Sequence, residues 1–340
     1  MGHYDEMIEE QKKEVPSVVQ ADLTGKTIMI TGANSGSGFE AAKHFAKMNP
    51  ARLIFVCRSL EKARQSIEQI EADTGYKKAE PLALDLSNFR TISESVTQAT
   101  KILDRLDILV ENAAVSTAGQ YVLTEDGFET MLQVNALGPA LHTFLLLPLM
   151  QRTARKYSVL PRIVVVSSGL AFLGNISEDA VAAPNTLETL SSKGYCTPLM
   201  MDNRYNLSKI INIMFINKLA NHLPKCIIPV ALNPGFFISG LRRHETGERA
   251  EQFSQMEAEL AWTPEEGSRQ IVFAAIGGND NGMELRGKFT SFSRVRGLSD
   301  WMLSEKGRNA EDKIWNDMLE LFGKIDSRIP GICSEHLKEA

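Results

Sequence analysis

Residues 26–44 read Lys-Thr-Ile-Met-Ile-Thr-Gly-Ala-Asn-Ser-Gly-Ser-Gly-Phe-Glu-Ala-Ala-Lys-His, and no other stretch narrows the fold as much. Residues 27–31 are a short β-branched and apolar run, whereas Phe39, Ala42 and Phe45 recur at helical spacing, so the hydrophobic period changes across the glycines. The order is strand, turn, helix. Gly32, Gly36 and Gly38 lack a Cβ, which permits a tight turn, close approach of backbone to a ligand and close packing of helix on strand. The free amides and the positive end of the helix would face an anion, and a dinucleotide pyrophosphate is the usual occupant. The spacing is Gly-x-x-x-Gly-x-Gly, not Gly-x-Gly-x-x-Gly, and no Gly-Lys-Ser/Thr ending makes it a nucleoside-triphosphate loop. A plain strand-to-helix connection would carry the same glycines.

From Thr27 onward, strand-like runs at 27–31, 52–57, 81–84, 107–111, 162–167, 227–232 and 287–292 alternate with helical patterns. Continuous Val/Ile/Leu runs belong to strands buried on both faces. The expected fold is therefore α/β, a single doubly wound parallel sheet (Rossmann) flanked by helices and joined by right-handed crossovers. Residues 1–22 read as an N-terminal extension, in part ordered. Residues 23–340 read as the Rossmann-fold domain, with an insert at about 170–204, a lid at about 236–262 and a C-terminal extension at about 293–340.

Composition acts mainly by exclusion. With 43% hydrophobic and 23% charged residues the chain has ample material for a soluble core. A net charge of -5 gives no basic face for nucleic acid. Cys57, Cys196, Cys226 and Cys333 are scattered, which suggests neither a disulfide framework nor a metal site and fits a reducing, cytoplasmic setting. The first twenty residues are too polar for a secretory signal, and Glu6 stands where N-myristoylation requires Ser or Thr. The most apolar helical stretch, 136–150, is short for a membrane span and is interrupted by Gly138, Pro139, His142 and Pro148.

Ligands of such sheets bind beyond the carboxyl ends of the strands, so the residues after each run carry the argument. Arg58 follows the second run, where an acidic residue would bond the ribose of NAD and an Arg pairs with the 2′-phosphate of NADP; a solvated Arg at a strand end is the alternative. Asp85-Leu86 and Asn112-Ala113 follow the third and fourth runs, and Asp and Asn there equally suit helix caps. Ser168 ends the fifth. Tyr205 and Lys209 are four apart before an apolar helical pattern, a spacing that stacks both on one helix face. An ammonium beside a phenol favours the phenolate and lowers the tyrosine's pKa from about 10 toward neutrality, as a proton donor to a ketone oxygen requires. Chance Tyr/Lys pairs at this spacing are common.

Taken in order, these residues resemble the short-chain dehydrogenase/reductase family over roughly residues 25–292. The match comprises Thr-Gly-x-x-x-Gly-x-Gly at 31–38, Asp85-Leu86, Asn112-Ala113, Asn135 in Gln-Val-Asn, Ser168, Tyr-x-x-x-Lys at Tyr205 and Lys209, and Asn-Pro-Gly at 233–235. Phrases such as Val-Cys-Arg-Ser-Leu-Glu-Lys-Ala are most similar to the retinol dehydrogenase and protochlorophyllide reductase branch. The resemblance implies an NADP(H)-dependent enzyme that reduces a ketone or aldehyde, or oxidises the alcohol, on an apolar molecule; fungal relatives act on polyketides or other secondary metabolites. It also implies Tyr205 as acid/base, Lys209 as its pKa tuner and ribose anchor, Ser168 as donor to the substrate oxygen and Asn135 as holder of a proton-relay water. Cofactor contacts are implied for Gly32, Asn34, Ser35, Gly36, Ser37, Gly38, Arg58, Asp85, Leu86, Asn112, Ala113, Tyr205, Lys209, Pro234, Gly235, Phe237 and Ser239.

Departures from the family pattern are Ser37 for the usual Ile, Glu111 and Ala114 around Asn112-Ala113, and Ser239 for the usual Thr. Ser37 gives up an apolar contact to the cofactor, and Glu111 is expected to lose a structural hydrogen bond. The insert and the 236–262 segment mix large apolar with polar residues, as movable covers of a wide apolar site do; an ordinary packed surface helix has the same pattern. Helices over 127–151 and 205–222 form the dimer face in many members of this family, so a homodimer is implied, although a helix buried within one chain looks the same. Two other functions compete: a non-redox isomerase or cyclase that keeps NADP structurally, and an NADP(H)-sensing binding protein. Degraded catalytic residues would favour either, and Asn135, Ser168, Tyr205 and Lys209 are intact.

Overall fold

The computed structural model describes residues 3–337. Eight strands form one sheet: β1 (Thr27–Thr31), β2 (Arg52–Cys57), β3 (Ala79–Ala83), β4 (Ile108–Glu111), β5 (Arg162–Val166), β6 (Ile228–Asn233), β7 (Lys288–Ser291) and β8 (Arg294–Arg296). Their spatial order is β3-β2-β1-β4-β5-β6-β7-β8. Every pairing through β7 is parallel, and β8 runs antiparallel to β7. Strand β3 starts at Ala79, two residues ahead of the apolar run, because Ala79 and Glu80 already pair with Leu53 and Ile54. The hairpin to β8 turns through Phe292 and Ser293 at φ 53° and 54°. Arg-Val-Arg at a sheet edge carries no apolar run, so β8 has no signature in the sequence.

Alternate residues of each strand enter opposite cores. Met29, Ile54, Leu109, Ile163 and Val165 face one helical layer, and Ile28, Ile30, Phe55, Val110 and Val164 face the other. Helices Gly36–Lys47 and Pro264–Ile276 cover the second face. The first is covered by Phe89–Ile102, Gly138–Tyr157 and Arg204–His222. Strand order reverses between β1 and β4, and at that switch point the carboxyl ends of the strands leave a crevice.

Two segments are built differently from their sequence reading. Within the insert, helices Glu178–Ala182 and Thr186–Ser191 are wedged against the C-terminal helix Glu305–Ile325: Thr186 N donates to Asp317 Oδ2 at 2.7 Å, and Lys313 Nζ to Pro184 O at 2.9 Å. Leu187 and Leu190 are fully buried. This half of the insert is body, not cover. The helix Glu305–Ile325 likewise packs into the core, with Trp315 and Phe322 centred 5.4 and 5.9 Å from the ring of Phe144. The helix Glu305–Ile325 thereby covers the faces of Gly138–Tyr157 and Arg204–His222 that the family resemblance assigned to a dimer. The helical run Thr130–Tyr157 is long and apolar enough to cross a membrane, and 94% of its most apolar window is buried inside the molecule.

Candidate active site

The glycine loop leaves β1 with Gly32 at φ 68° and Gly36 at φ 59°, conformations that favour residues without a Cβ. At Gly38 a Cβ would lie 2.5 Å from Gly32 O and from Asn112 Nδ2, so only glycine lets the helix start beside β4. Ser35, exposed at the N-cap, makes no side-chain cap bond and leaves the first amides of Gly36–Lys47 to another acceptor; beyond a Cβ at Gly36 lies open space. Asn34 O instead accepts from Ser66 Oγ at 3.2 Å, tying the loop to the next helix. This cradle fits a dinucleotide pyrophosphate. Ser37 is buried and donates to Asn112 Oδ1 at 3.2 Å, while Asn112 Nδ2 donates to Thr31 O at 3.0 Å. The serine thus fixes the carboxamide that closes the crevice.

Glu111 does not lose its hydrogen bond. Thr31 Oγ1 donates to its Oε2 at 3.2 Å, and its Oε1 lies 2.6 Å from Nδ1 of the fully buried His142. Thr31 Oγ1 in turn accepts from Asn112 N and Ala113 N at 2.9 and 3.2 Å. The chain His142–Glu111–Thr31 is a support for the Asn112 turn that only the buried acid reveals.

Arg58 stands exposed just past β2 and makes no ion pair among the described residues. Asp85 Oδ1 accepts from Ser87 N and Oγ at 2.9 and 2.7 Å, forming the turn into Phe89–Ile102, and Leu86 is buried beside Gly138. At the end of β6, Asn233 Oδ1 accepts from Gly169 N and Gly235 N at 3.0 and 3.1 Å and so joins two strand-end loops. Pro234 is buried, and Gly235 sits at φ 81° where a Cβ would be 2.2 Å from the Trp262 ring. Phe237 packs on Gly267, and Ser239 Oγ accepts from Leu241 N at 3.4 Å.

Asn135, Ser168, Tyr205 and Lys209 are drawn to one place by hydrogen bonds between their supports. Ser208 Oγ accepts from Asn135 Nδ2 at 3.2 Å and donates to Tyr205 O at 2.7 Å. Lys209 Nζ donates to Val166 O at 2.7 Å, and Ser167 Oγ donates to Lys209 O at 2.7 Å, fastening the helix Arg204–His222 to the end of β5 that carries Ser168. Ser168 is half-buried and caps the turn Gly169–Leu173 by accepting from Leu170 N at 3.2 Å, which leaves its hydroxyl proton unused. Lys209 Nζ lies 5.5 Å from the centre of the Tyr205 ring. Asn135 sits in a π turn, Gln133–Leu137, with its side chain held by Val115: Oδ1 accepts from the amide at 2.8 Å and Nδ2 donates to the carbonyl at 3.0 Å. Such turns shift the hydrogen-bond register of a helix and occur often at functional sites.

The electrostatics differ from the simple expectation. Burial pushes the Tyr205 phenol up to about 12, offset in part by the Arg242 guanidinium. Burial also pushes the Lys209 ammonium down to about 7. Desolvation is the leading cause of both shifts. One wall beside Tyr205 is a small apolar cluster of Met131, Cys196 and Met201 with Val115 and Tyr121.

A family model described as short chain dehydrogenase matches residues 26–183. The chain is 30% identical to the short-chain dehydrogenase anuD of Penicillium roqueforti, over 93% of this chain and 82% of that protein. It is 34% identical to the short chain dehydrogenase atnD of Emericella nidulans, over 76% of this chain and 83% of that one. Among solved structures, a short chain dehydrogenase from Escherichia coli complexed with NADPH superposes with a TM-score of 0.59 at 21% identity, covering 80% of this chain and 99% of the other. With the crevice at the strand switch point and a relative 30% identical over 93% of its length, the chain is an oxidoreductase of the short-chain dehydrogenase/reductase family.

Proposed function

We propose that the protein is an NADP(H)-dependent carbonyl reductase, or alcohol dehydrogenase in reverse, acting on an apolar ketone or aldehyde of the secondary-metabolite kind. The observation that carries this reading is the bonding of Asn135, Tyr205 and Lys209 to one another's supports and to the end of β5 bearing Ser168. The cofactor, when bound, supplies or accepts a hydride at the substrate carbon. Its pyrophosphate suits the cradle of Gly32, Asn34, Ser35, Gly36, Ser37 and Gly38; Arg58 pairs with the 2′-phosphate. Asp85, Leu86, Asn112 and Ala113 serve the adenosine half, and Pro234, Gly235, Phe237 and Ser239 the nicotinamide half. NADPH in the Escherichia coli relative and the fungal origin of the similar dehydrogenases support the cofactor and the substrate class.

In the reducing direction, Tyr205 Oη gives its proton to the carbonyl oxygen, which also accepts from the unused hydroxyl proton of Ser168. Lys209 keeps one N–H on Val166 O and has others for the nicotinamide ribose and for charge beside the phenol. The Asn135 side chain bonds Val115 and Ser208, so a relay water at this residue would meet the backbone of the π turn rather than the carboxamide. Met131, Cys196 and Met201 give the substrate an apolar, adaptable wall.

Tyr205→Phe deletes the proton donor and keeps the ring. It should abolish NADPH oxidation across a panel of apolar ketones while leaving NADPH binding within about twofold, measured by nucleotide fluorescence. Full turnover by this variant would overturn the assignment.

A further inference from the structure

We propose that the helix His3–Gln11 is a strap across the active-site edge and that Gln11 is a positioning residue that fixes both ends of the 236–262 lid. The inference rests on the site reading given above, and its first test does not depend on turnover.

Sequence marks residues 1–22 only as an extension. Yet Met7, Glu10 and Gln11 are all buried, and what they touch lies at the carboxyl ends of β5 and β6 and along the β7–β8 hairpin. Gln11 spends its whole carboxamide on the lid base: Nε2 donates to Phe236 O and Leu260 O, both at 2.8 Å, and Oε1 accepts from Phe236 N at 2.8 Å. Its backbone carbonyl accepts from Trp262 Nε1 at 3.0 Å. The two lid ends also pair with each other, Trp262 N donating to Phe236 O at 2.9 Å and Ile238 N to Trp262 O at 3.0 Å. One side chain therefore holds the chain where it leaves for the lid and where it returns.

Further contacts keep the strap down. Met7 Sδ lies 3.7 Å from Asn233 Nδ2 and against Gly169, the residue after Ser168. Glu6 accepts from Arg296 Nη1 at 2.8 Å, Glu10 pairs with Arg294 and Arg296, and Arg269 Nη1 donates to Val15 O at 3.3 Å. The lid so fixed carries Arg242, which donates to Phe237 O at 2.7 Å and to Glu257 Oε1 at 2.8 Å and whose charge is felt at Tyr205. It begins one residue after Gly235. Loosening the pairing of Phe236 with Trp262 frees the lid between them, and a substrate that packs on the lid loses contacts made equally in ground and transition states.

The test compares full-length wild type, Gln11→Ala and Gln11→Glu. Arg243, exposed within the lid, is a trypsin site whose cleavage reports opening without substrate or cofactor. Gln11→Ala should speed cleavage there roughly tenfold, with the thermal transition of the core shifted little. It should raise KM for the carbonyl substrate on the order of tenfold with kcat within about twofold. Gln11→Glu fills the same space but sets a carboxylate against two carbonyls, so it should behave like the alanine variant; wild-type behaviour would mean that Gln11 acts by packing and would overturn the positioning role. Unchanged cleavage in Gln11→Ala overturns the strap even in a fully active reductase. Faster cleavage in a protein that reduces no carbonyl upholds the strap and sinks the functional reading instead.

Discussion

At the scale of single residues, Lys209 has the most consequential environment. It is buried, its Nζ donates to the backbone carbonyl of Val166, and its affinity for a proton falls from the usual 10.5 to about 7. Between those values the unfolded chain holds a proton that the folded chain releases, so stability rises with pH from about 7 to about 10 and is flat below. Nucleotide-free wild type should gain a few kcal/mol across that window, while Lys209→Met should lose this slope. Denaturant midpoints at a series of pH values measure it, and equal slopes would refute it. The phenol acts in the opposite sense: with its pKa pushed up to about 12, Tyr205 favours the folded state less and less as pH climbs past 10. At the other end of the cofactor crevice, Arg58 is exposed and not paired with any described acid. Arg58→Asp should remove a charge-assisted contact worth about 1–3 kcal/mol and so cut the preference for NADPH over NADH roughly ten- to hundredfold. Identical use of both cofactors by wild type would end that argument.

At the scale of elements, Leu190 separates body from cover. It is fully buried beneath the C-terminal helix, so Leu190→Ala should cost about 2–5 kcal/mol of stability by leaving a cavity, rather than change KM alone. Thermal unfolding followed by circular dichroism is the check. The sequence does not separate these outcomes because Leu187 and Leu190 among polar residues show the same amphipathic pattern whether they face a substrate or a neighbouring helix. Strands were legible for the opposite reason: residues such as Ile28 to Ile30 and Ile163 to Val166 are apolar on both faces, and few other elements read that way. The strand-turn-helix at the glycine loop was legible because the hydrophobic period changes across it, while Ser168, Tyr205 and Lys209 stood out only through the family resemblance, and their roles stay proposals. The π turn at Asn135, the Glu111–His142 support and the carboxamide of Gln11 leave no periodic trace, since each depends on one polar side chain meeting a partner far along the chain.

At the scale of the whole molecule, helix Glu305–Ile325 occupies the surface through which Gly138–Tyr157 and Arg204–His222 would meet a second subunit. Phe144 and Phe215 are already packed on Trp315, and Gln151 Nε2 donates to His336 O at 2.8 Å. The protein should therefore run as a monomer by light scattering at micromolar concentration, and a chain ended at residue 304 should self-associate or aggregate through the apolar face thus bared. A dimer joined through those two helices in the full chain would contradict this. The strap has a consequence of another kind, in the order in which the molecule assembles. Its bonds join residues 225, 249 and 290 positions apart, among the widest separations in the chain. Closing so long a loop carries an entropic cost before any contact rewards it, and a ribosome delivers the partners of Gln11 only after most of the sheet strands. A helix made well before its partners is thus among the last elements to find its place, and the roof of the site goes on after the walls.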